Sequence, residues 1–120
     1  MKGKVFVDSA QIVNWIPEDP TGDIEGTKLA MDVLESIIEE AGPSLILVDL
    51  TKGLRPNALQ RQIIINAIRR NFNNIQKVAI FGESALMKAV AFFVINASGY
   101  SNMKFFPSRS QAIQWLQQTQ

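Results

Sequence analysis

The sequence predicts an α/β domain built on a mixed, mostly parallel sheet with helices on both faces. Three observations carry this reading. From about residue 27 onward, strand-length apolar runs and helix-length amphipathic runs alternate strictly. Two of the strand runs, Leu45 to Leu50 and Val78 to Phe81, are continuously apolar, as strands covered on both faces are. A short pair of strand-like segments precedes the first helix, with room for only a tight connection. The order is β-β-α-β-α-β-α-β-α, a single domain over residues 1–120, and such alternation implies right-handed parallel crossovers.

Val5 to Asp8 reads as the first strand and Gln11 to Ile16 as the second, joined through Asp8-Ser9-Ala10 as a hairpin. Pro17 and Asp19-Pro20-Thr21-Gly22 break the pattern. From about Thr27 the spacing is helical: Leu29, Ala30, Val33, Leu34, Ile37, Ile38 and Ala41 form one stripe, with Asp32, Glu35, Glu39 and Glu40 opposite. Gly42-Pro43 stops this helix. After the Leu45–Leu50 strand, Asn57 and Gln60 stand in capping-box spacing at the head of a second helix, whose expected buried stripe is Leu59, Ile63, Ile64, Ala67, Ile68 and Phe72. Gly82 closes the Val78–Phe81 strand, Ser84 to Ala97 is a third helix, and Met103 to Phe106 is the last strand. Ser108 with Gln111 caps a final helix carrying Ala112, Ile113, Trp115 and Leu116.

Composition narrows the chemistry. With 47% apolar residues the chain can build a real core at this length. It has no Cys and no His, which excludes disulfides, thiolate nucleophiles, Cys/His zinc sites and His-based triads. Any acid–base work would fall to carboxylates, Lys, Tyr100 or hydroxyls, all needing large pKa shifts, so no catalytic residue, cofactor or metal is expected. The chain opens without a signal-peptide pattern, and its longest apolar stretch is well short of the roughly 20 residues of a membrane span, so a cytoplasmic protein is expected. Asn96-Ala97-Ser98 matches a glycosylation sequon, which a cytoplasmic chain does not use.

Charge is unevenly spread. Residues 1–50 hold three basic and ten acidic residues, a net −7, and residues 51–120 hold nine basic and one acidic, a net +8. The asymmetry points to an electrostatic partner or to head-to-tail association. The plainer expectation is that the halves interleave in one sheet, as parallel α/β folds often arrange them, and that their fields cancel.

The segments Lys77-Val78-Ala79-Ile80-Phe81-Gly82, the apolar third helix, Met103-Lys104-Phe105-Phe106 and Ala112-Ile113-Gln114-Trp115-Leu116 resemble the SpoIIAA-like group of STAS domains, relatives of the sporulation anti-sigma-factor antagonist. The resemblance spans roughly residues 4–118 and implies a STAS-like single domain that binds partner proteins rather than catalyses. It also implies a fold-level likeness to CRAL-TRIO lipid-transfer domains. Regulatory STAS domains are switched by phosphorylation of a Ser or Thr at the start of the second helix, where a phosphate meets the helix N-terminus. The matching positions here, Pro56, Asn57 and Ala58, carry no hydroxyl, and Thr51 sits too early, at the strand end.

Other candidate sites have plainer readings beside them. Asp19 to Glu25 alternates oxygens like a calcium loop, but Gly22 comes too early and Ala30 stands where the bidentate Glu belongs, so a solvated turn is expected. Gly82-Glu83-Ser84 precedes a helix where anions bind, but it lacks both phosphate-loop patterns. Asp8, Asp49, Ser84 and Lys104 invite comparison with a phosphoacceptor receiver, yet only one strand and one helix separate the two aspartates, where a receiver needs two helices and a strand. Arg55, Arg61, Arg69 and Arg70, with Lys52 and Lys77, surround the second helix as candidate anion contacts. No aromatic is interleaved with them, so nucleic acid is not the expected partner.

The third helix is the most informative segment: eleven of the thirteen residues from Ala85 to Ala97 are apolar. A helix on the outside of a small domain keeps a polar face, so part of this one is expected to cover another surface. Met87, Val90, Phe92, Phe93 and Val94 are the expected contact residues for a protein partner, a second copy of the chain or an apolar ligand such as an acyl chain. The alternative is burial under the loop Ser98 to Asn102 and the last helix.

Overall fold

The computed structural model describes residues 3–18, 23–52 and 55–118. The elements are β1 (Gly3–Val7), β2 (Ile12–Pro17), α1 (Ile24–Ala41), β3 (Ser44–Asp49), α2 (Ala58–Arg70), a 3-10 turn (Phe72–Asn74), β4 (Ile75–Phe81), α3 (Ala85–Ser98), β5 (Met103–Phe106) and α4 (Arg109–Gln117). They form one five-stranded sheet in the order β1-β2-β3-β4-β5, antiparallel only at β1–β2 and parallel elsewhere. This is the expected mixed sheet. Its helices lie on both faces, three against one.

The hairpin is organised by Asp8. Its Oδ1 accepts the backbone N–H groups of Ala10 (2.9 Å) and Ile12 (3.1 Å), and its Oδ2 accepts the Asn14 side chain at 2.9 Å. Burial raises the Asp8 pKa, but the Asn14, Ile12 and Ala10 donors outweigh it and hold the carboxyl below its ordinary value. Gln11 takes a left-handed φ of 65° to close the turn, so β2 begins at Ile12 and not at Gln11 as the pattern suggested.

Helix α1 starts at Ile24, three residues before the sequence pattern becomes helical, because Asp23 caps it: Asp23 Oδ1 accepts the Gly26 N–H at 3.0 Å. Its buried face is Gly26, Thr27, Ala30, Met31, Leu34 and Ile38, rotated from the stripe read in the sequence, and Leu29 is 51% exposed. In α2 the Asn57–Gln60 capping box forms as expected, but Leu59 faces out and Ile65 faces in. Gln60 is fully buried because it does more than close the box: its Oε1 accepts the Asn57 N–H at 2.9 Å and its Nε2 donates to Thr27 Oγ1 at 3.1 Å, tying α2 to α1. Phe72 leaves the α2 stripe for the 3-10 turn, where it stacks on Tyr100 with ring centroids 5.0 Å apart.

The three crossover helices cover one face, on which Val13, Trp15, Ile46, Val48, Val78, Ile80 and Met103 meet the buried sides of α1, α2 and α3. On the other face Ile12, Leu47, Ala79 and Phe81 pack on Ala112 and Leu116 of α4. Lys77, read from the sequence as one of the cations around α2, lies on this second face at 4% exposure. It points into α4, where its Nζ donates to the carbonyls of Trp115 (2.8 Å) and Gln118 (2.9 Å) and stands 5.0 Å from the Trp115 ring. It thus supplies the C-terminal carbonyls of α4 with a cation, where the helix dipole favours one.

Strand order also settles the charge question. Because each strand pairs with its neighbours in sequence, the halves of the chain do not interleave. The acidic half forms the β1–β2–β3 side with α1, and the basic half forms the β4–β5 side with α2, α3 and α4. The expectation that the two fields cancel is overturned, since it assumed a doubly wound sheet that starts in the middle. Replacing Lys77 by Met removes two charge-assisted hydrogen bonds while keeping the stem. The Lys77→Met protein is expected to lose about 1.5–3 kcal/mol of stability in urea denaturation, with Trp115 emission reporting the loosening of α4.

Candidate functional site

Helix α3 is seated at its first turn. Ser84 Oγ accepts the Met87 N–H at 3.1 Å as N-cap, and the helix ends at Gly99 in the left-handed region, φ 71°. Gly82 permits the close approach, for a Cβ there would lie 2.8 Å from Met87 Cβ and 2.9 Å from its sulfur. The Met87 sulfur in turn accepts the Glu83 N–H at 3.3 Å. The inner side is Ala91, Val94 and Ser98. Two of the five expected contact residues therefore serve the fold: Val94 is in the core, and Met87 packs half-buried against it. The helical spacing was correctly read, but an almost uniformly apolar helix does not show in sequence which side faces the sheet.

What remains outside is substantial. Leu86 is 49% exposed, Phe92 46% and Phe93 50%, with Val90 half-buried beside them. Leu86 was not singled out in the sequence, although it stands two helical turns before Phe93 and so shares its side. Each aromatic is held by a neighbour. Phe92 meets Phe105 of β5 edge-on with centroids 6.2 Å apart, and Lys88 Nζ stands 5.5 Å from its ring. The Arg61 guanidinium lies 4.8 Å from the Phe93 ring while Arg61 donates to the Pro56 carbonyl at 2.9 Å. Leu59 of α2, 56% exposed, adds to the same helical layer. Exposed apolar side chains thus stand on both α3 and α2, with Lys88 beside Phe92 and Arg61 beside Phe93.

The expected anion contacts do not converge. Arg70 Nη2 pairs with Glu35 Oε1 of α1 at 2.5 Å. Arg69 donates to the Ala97 carbonyl at 2.6 Å, bracing α2 on the end of α3. Arg61 is committed to Phe93 and Pro56, and Arg55 is exposed at the entrance to α2. Arg61, Arg69 and Arg70 are thus engaged in holding α2 to its neighbouring helices.

At the position that matches the STAS phosphoswitch, Pro56 is buried, Asn57 is the N-cap and Ala58 is the first helical residue. Asn57 Oδ1 already takes the Gln60 N–H at 2.9 Å. Thr51 turns its hydroxyl to Asp49: Oγ1 donates to Asp49 Oδ1 at 2.5 Å and the Thr51 N–H meets the same oxygen at 2.8 Å. Asp8 and Asp49 lie at opposite ends of the sheet, since Ile12 beside Asp8 pairs with Leu45 at the start of β3 and Asp49 ends that strand. The acidic pocket of a receiver is therefore not assembled. Lys104 instead reaches the Trp115 ring, 5.5 Å away.

Residues 19–22 of the calcium-like stretch lie outside the described residues, while Asp23 and Glu25 serve the start of α1. Among the described residues no group of three Asp or Glu gathers where a metal could be held, and no helix is long and apolar enough to cross a membrane. Behind α2 and α3 the core contains a cavity of about 60 Å³ lined by Trp15, Leu34, Val48, Ile64, Val90 and Ala91 among others. The buried Trp15 indole N–H has no hydrogen-bond partner among the described residues.

A profile of the SpoIIAA-like family matches residues 21–117. The chain belongs to the SpoIIAA-like family. The fold is also that of an uncharacterised protein of the DUF3478 family with a SpoIIAA-like fold from Shewanella loihica PV-4. That likeness has a TM-score of 0.74 and 17% identity, over 96% of this chain and 94% of the other. No curated protein matches the sequence.

The Glu35–Arg70 pair has a definite pH signature. The hydrogen bond from Arg70 holds the Glu35 carboxyl below its ordinary value, more than burial raises it. A carboxyl whose folded pKa is depressed stabilises the fold above its unfolded pKa and loses that contribution as pH falls through the folded value. Glu35→Gln is therefore expected to cost up to about 1 kcal/mol at neutral pH, because Arg70 is more than half exposed and the pair is solvent-screened. The difference from the parent should shrink as pH drops below about 4, as read by thermal unfolding across pH.

Proposed function

We propose that this SpoIIAA-like domain is a non-enzymatic binding and regulatory module whose docking surface is the outer side of α3 with the adjoining part of α2. One observation carries the reading: Leu86, Phe92 and Phe93 are each about half exposed on one helix. Exposed apolar side chains gathered on one helix of a small domain favour an interaction surface. The cations beside the rings, Arg61 and Lys88, favour a protein surface with carboxylates among its apolar groups. An acyl-chain carrier is the weaker reading, because the apolar core cavity of about 60 Å³ is far below the roughly 300–1,000 Å³ of small-molecule pockets, and the larger cleft of about 770 Å³ is edged by polar Gln76, Lys77, Asn102 and Gln118.

A native mass spectrum of the protein purified from its own cells tests this. A protein-sized companion is expected, lost in a Leu86→Ser/Phe93→Ser variant whose circular dichroism is unchanged. A bare monomer at high micromolar concentration, or a small extracted lipid retained by the double variant, would sink the reading.

Regulation by phosphate at the head of α2 is not part of the proposal. Pro56, Asn57 and Ala58 have no acceptor hydroxyl, and a phosphate on Thr51 would set two or nearly two negative charges against Asp49. Intact mass after incubation with anti-sigma-type serine kinases should stay unchanged; phosphate mapped to Thr51 would contradict this.

A further inference from the structure

We infer that β1 pairs edge to edge with β1 of a second copy of the chain, so that the two sheets join into one and α1 packs on α1 beside the join. This surface lies on the opposite flank of the sheet from α3 and is independent of the docking role proposed there.

The backbone of β1 has an open side. Strand order leaves β1 at an edge, bonded to β2 alone. The Asp8 N–H donates to the Ile12 carbonyl at 3.0 Å, which fixes the phase of the antiparallel ladder. Lys4 and Phe6 therefore turn their N–H and carbonyl groups to β2, while Gly3, Val5 and Val7 turn theirs outward. Pro17, which has no N–H, stands opposite Gly3, at a position where that phase asks for none. Among the described residues no turn, loop or cap bond reaches the outward groups.

The side chains along this flank are apolar and uncovered. Phe6 is 40% exposed on the α4 face of the sheet and Val7 44% on the helical face. On that helical face α1 carries Leu29 (51% exposed), Val33 (37%) and Ile37, which is half-buried. These three stand four residues apart and so share one side of the helix. Thr27 and Glu35, which reach α2 through Gln60 and Arg70, stand on the other side, so the stripe faces the β1 flank. Ile37 and Val5 pack against the same core.

A second copy satisfies both layers at once. With a two-fold axis through Val5, Val5 pairs with its own copy and Gly3 with the other copy's Val7, so each outward N–H meets an outward carbonyl. In that register Lys4 stands directly across from the other copy's Phe6, where its stem and cation cover the ring, and no Lys4 meets Lys4. The same axis runs the two α1 helices antiparallel with their apolar stripes facing. A lone extended peptide would satisfy the backbone of β1 but leave Leu29 and Val33 in water. Charge does not choose the partner. Lys28, Asp32 and Glu39 project away from the stripe, and Glu25 and Glu40 border its two ends at the solvent rim, where salt screens them.

By sedimentation velocity the parent is expected to be a dimer at high micromolar concentration, and the dimer should not weaken as salt is raised. Val7→Pro removes an outward N–H from each copy without touching a bond to β2, and should weaken self-association at least about tenfold. Val33→Lys, an exposed change that keeps the helix, sets a charge in each stripe and should do the same. It serves if Val7→Pro fails to fold. Hydrogen exchange gives the strand-level readout: the Val5 and Val7 amides should be protected in the parent and exchange fast in Val33→Lys, while the Phe6 amide stays protected in both. The Leu86→Ser/Phe93→Ser protein, which loses its companion on α3, should keep this dimer. A parent that stays monomeric overturns the inference, and so does a dimer that survives both Val7→Pro and Val33→Lys. A dimer lost only in Leu86→Ser/Phe93→Ser overturns it too, and leaves the binding role of α3 standing.

Discussion

Every strand in this sheet hydrogen-bonds only to strands adjacent to it in sequence, and much else follows from that constraint. A crossover between neighbouring parallel strands must be right-handed. When each crossover advances the sheet in the same direction, right-handedness places all their helices on the same face. Hence α1, α2 and α3 form one layer over the face made by Val13, Ile46, Val78 and Met103. The other face is left to α4, which no fourth crossover accompanies and which is fastened through Ala112, Leu116 and the buried Lys77. A doubly wound sheet would have begun in the middle and mixed the acidic and basic halves. Here they remain apart, and the molecule carries its charge asymmetry across the helical layer.

The same constraint exposes α3. An outer helix of a three-helix layer has a neighbour on one side only, and its inner side is satisfied by few residues, chiefly Ala91, Val94 and Met87. Ile95 and Ala97 pack half-buried against the core, while Leu86, Phe92 and Phe93 stay about half exposed. Arg61 and Lys88 moderate the exposure of Phe93 and Phe92 by laying their cations near the rings, which hydrates the edge of the patch without hiding it. Polar side chains elsewhere are largely occupied with the fold. Gln60 joins α1 to α2, Arg70 joins α2 to Glu35, Arg69 joins α2 to α3, and Asp8 closes the hairpin.

Much of this architecture was legible from residue order alone. Strand and helix alternation, the continuous apolar strands, the Asn57–Gln60 and Ser108–Gln111 caps and the missing hydroxyl at Pro56–Ala58 are local features, and local features survive into any fold that the chain adopts. The same is true of the absence of Cys and His, which limits chemistry whatever the topology. Helix start signals were less complete: Asp23 caps α1 through a side chain that a periodicity count does not weigh, so the first turn was missed.

What the tertiary structure alone decided were the questions of side and neighbour. Periodicity finds a stripe, but where apolar residues extend around most of a helix it cannot centre the stripe. That is why Leu29 and Leu59 turned outward, Met31 and Ile65 turned inward, and Val94 left the expected contact surface for the core. The fate of each basic residue depended on contacts with partners tens of residues away, as Lys77 with Trp115 and Arg70 with Glu35. Whether the two charged halves would cancel or oppose each other depended on strand order, a long-range property that no local window contains. Sequence determined the elements, their caps and the chemistry that the chain lacks. Packing decided which apolar groups remained exposed, because burial is settled by the neighbours that the topology brings into place.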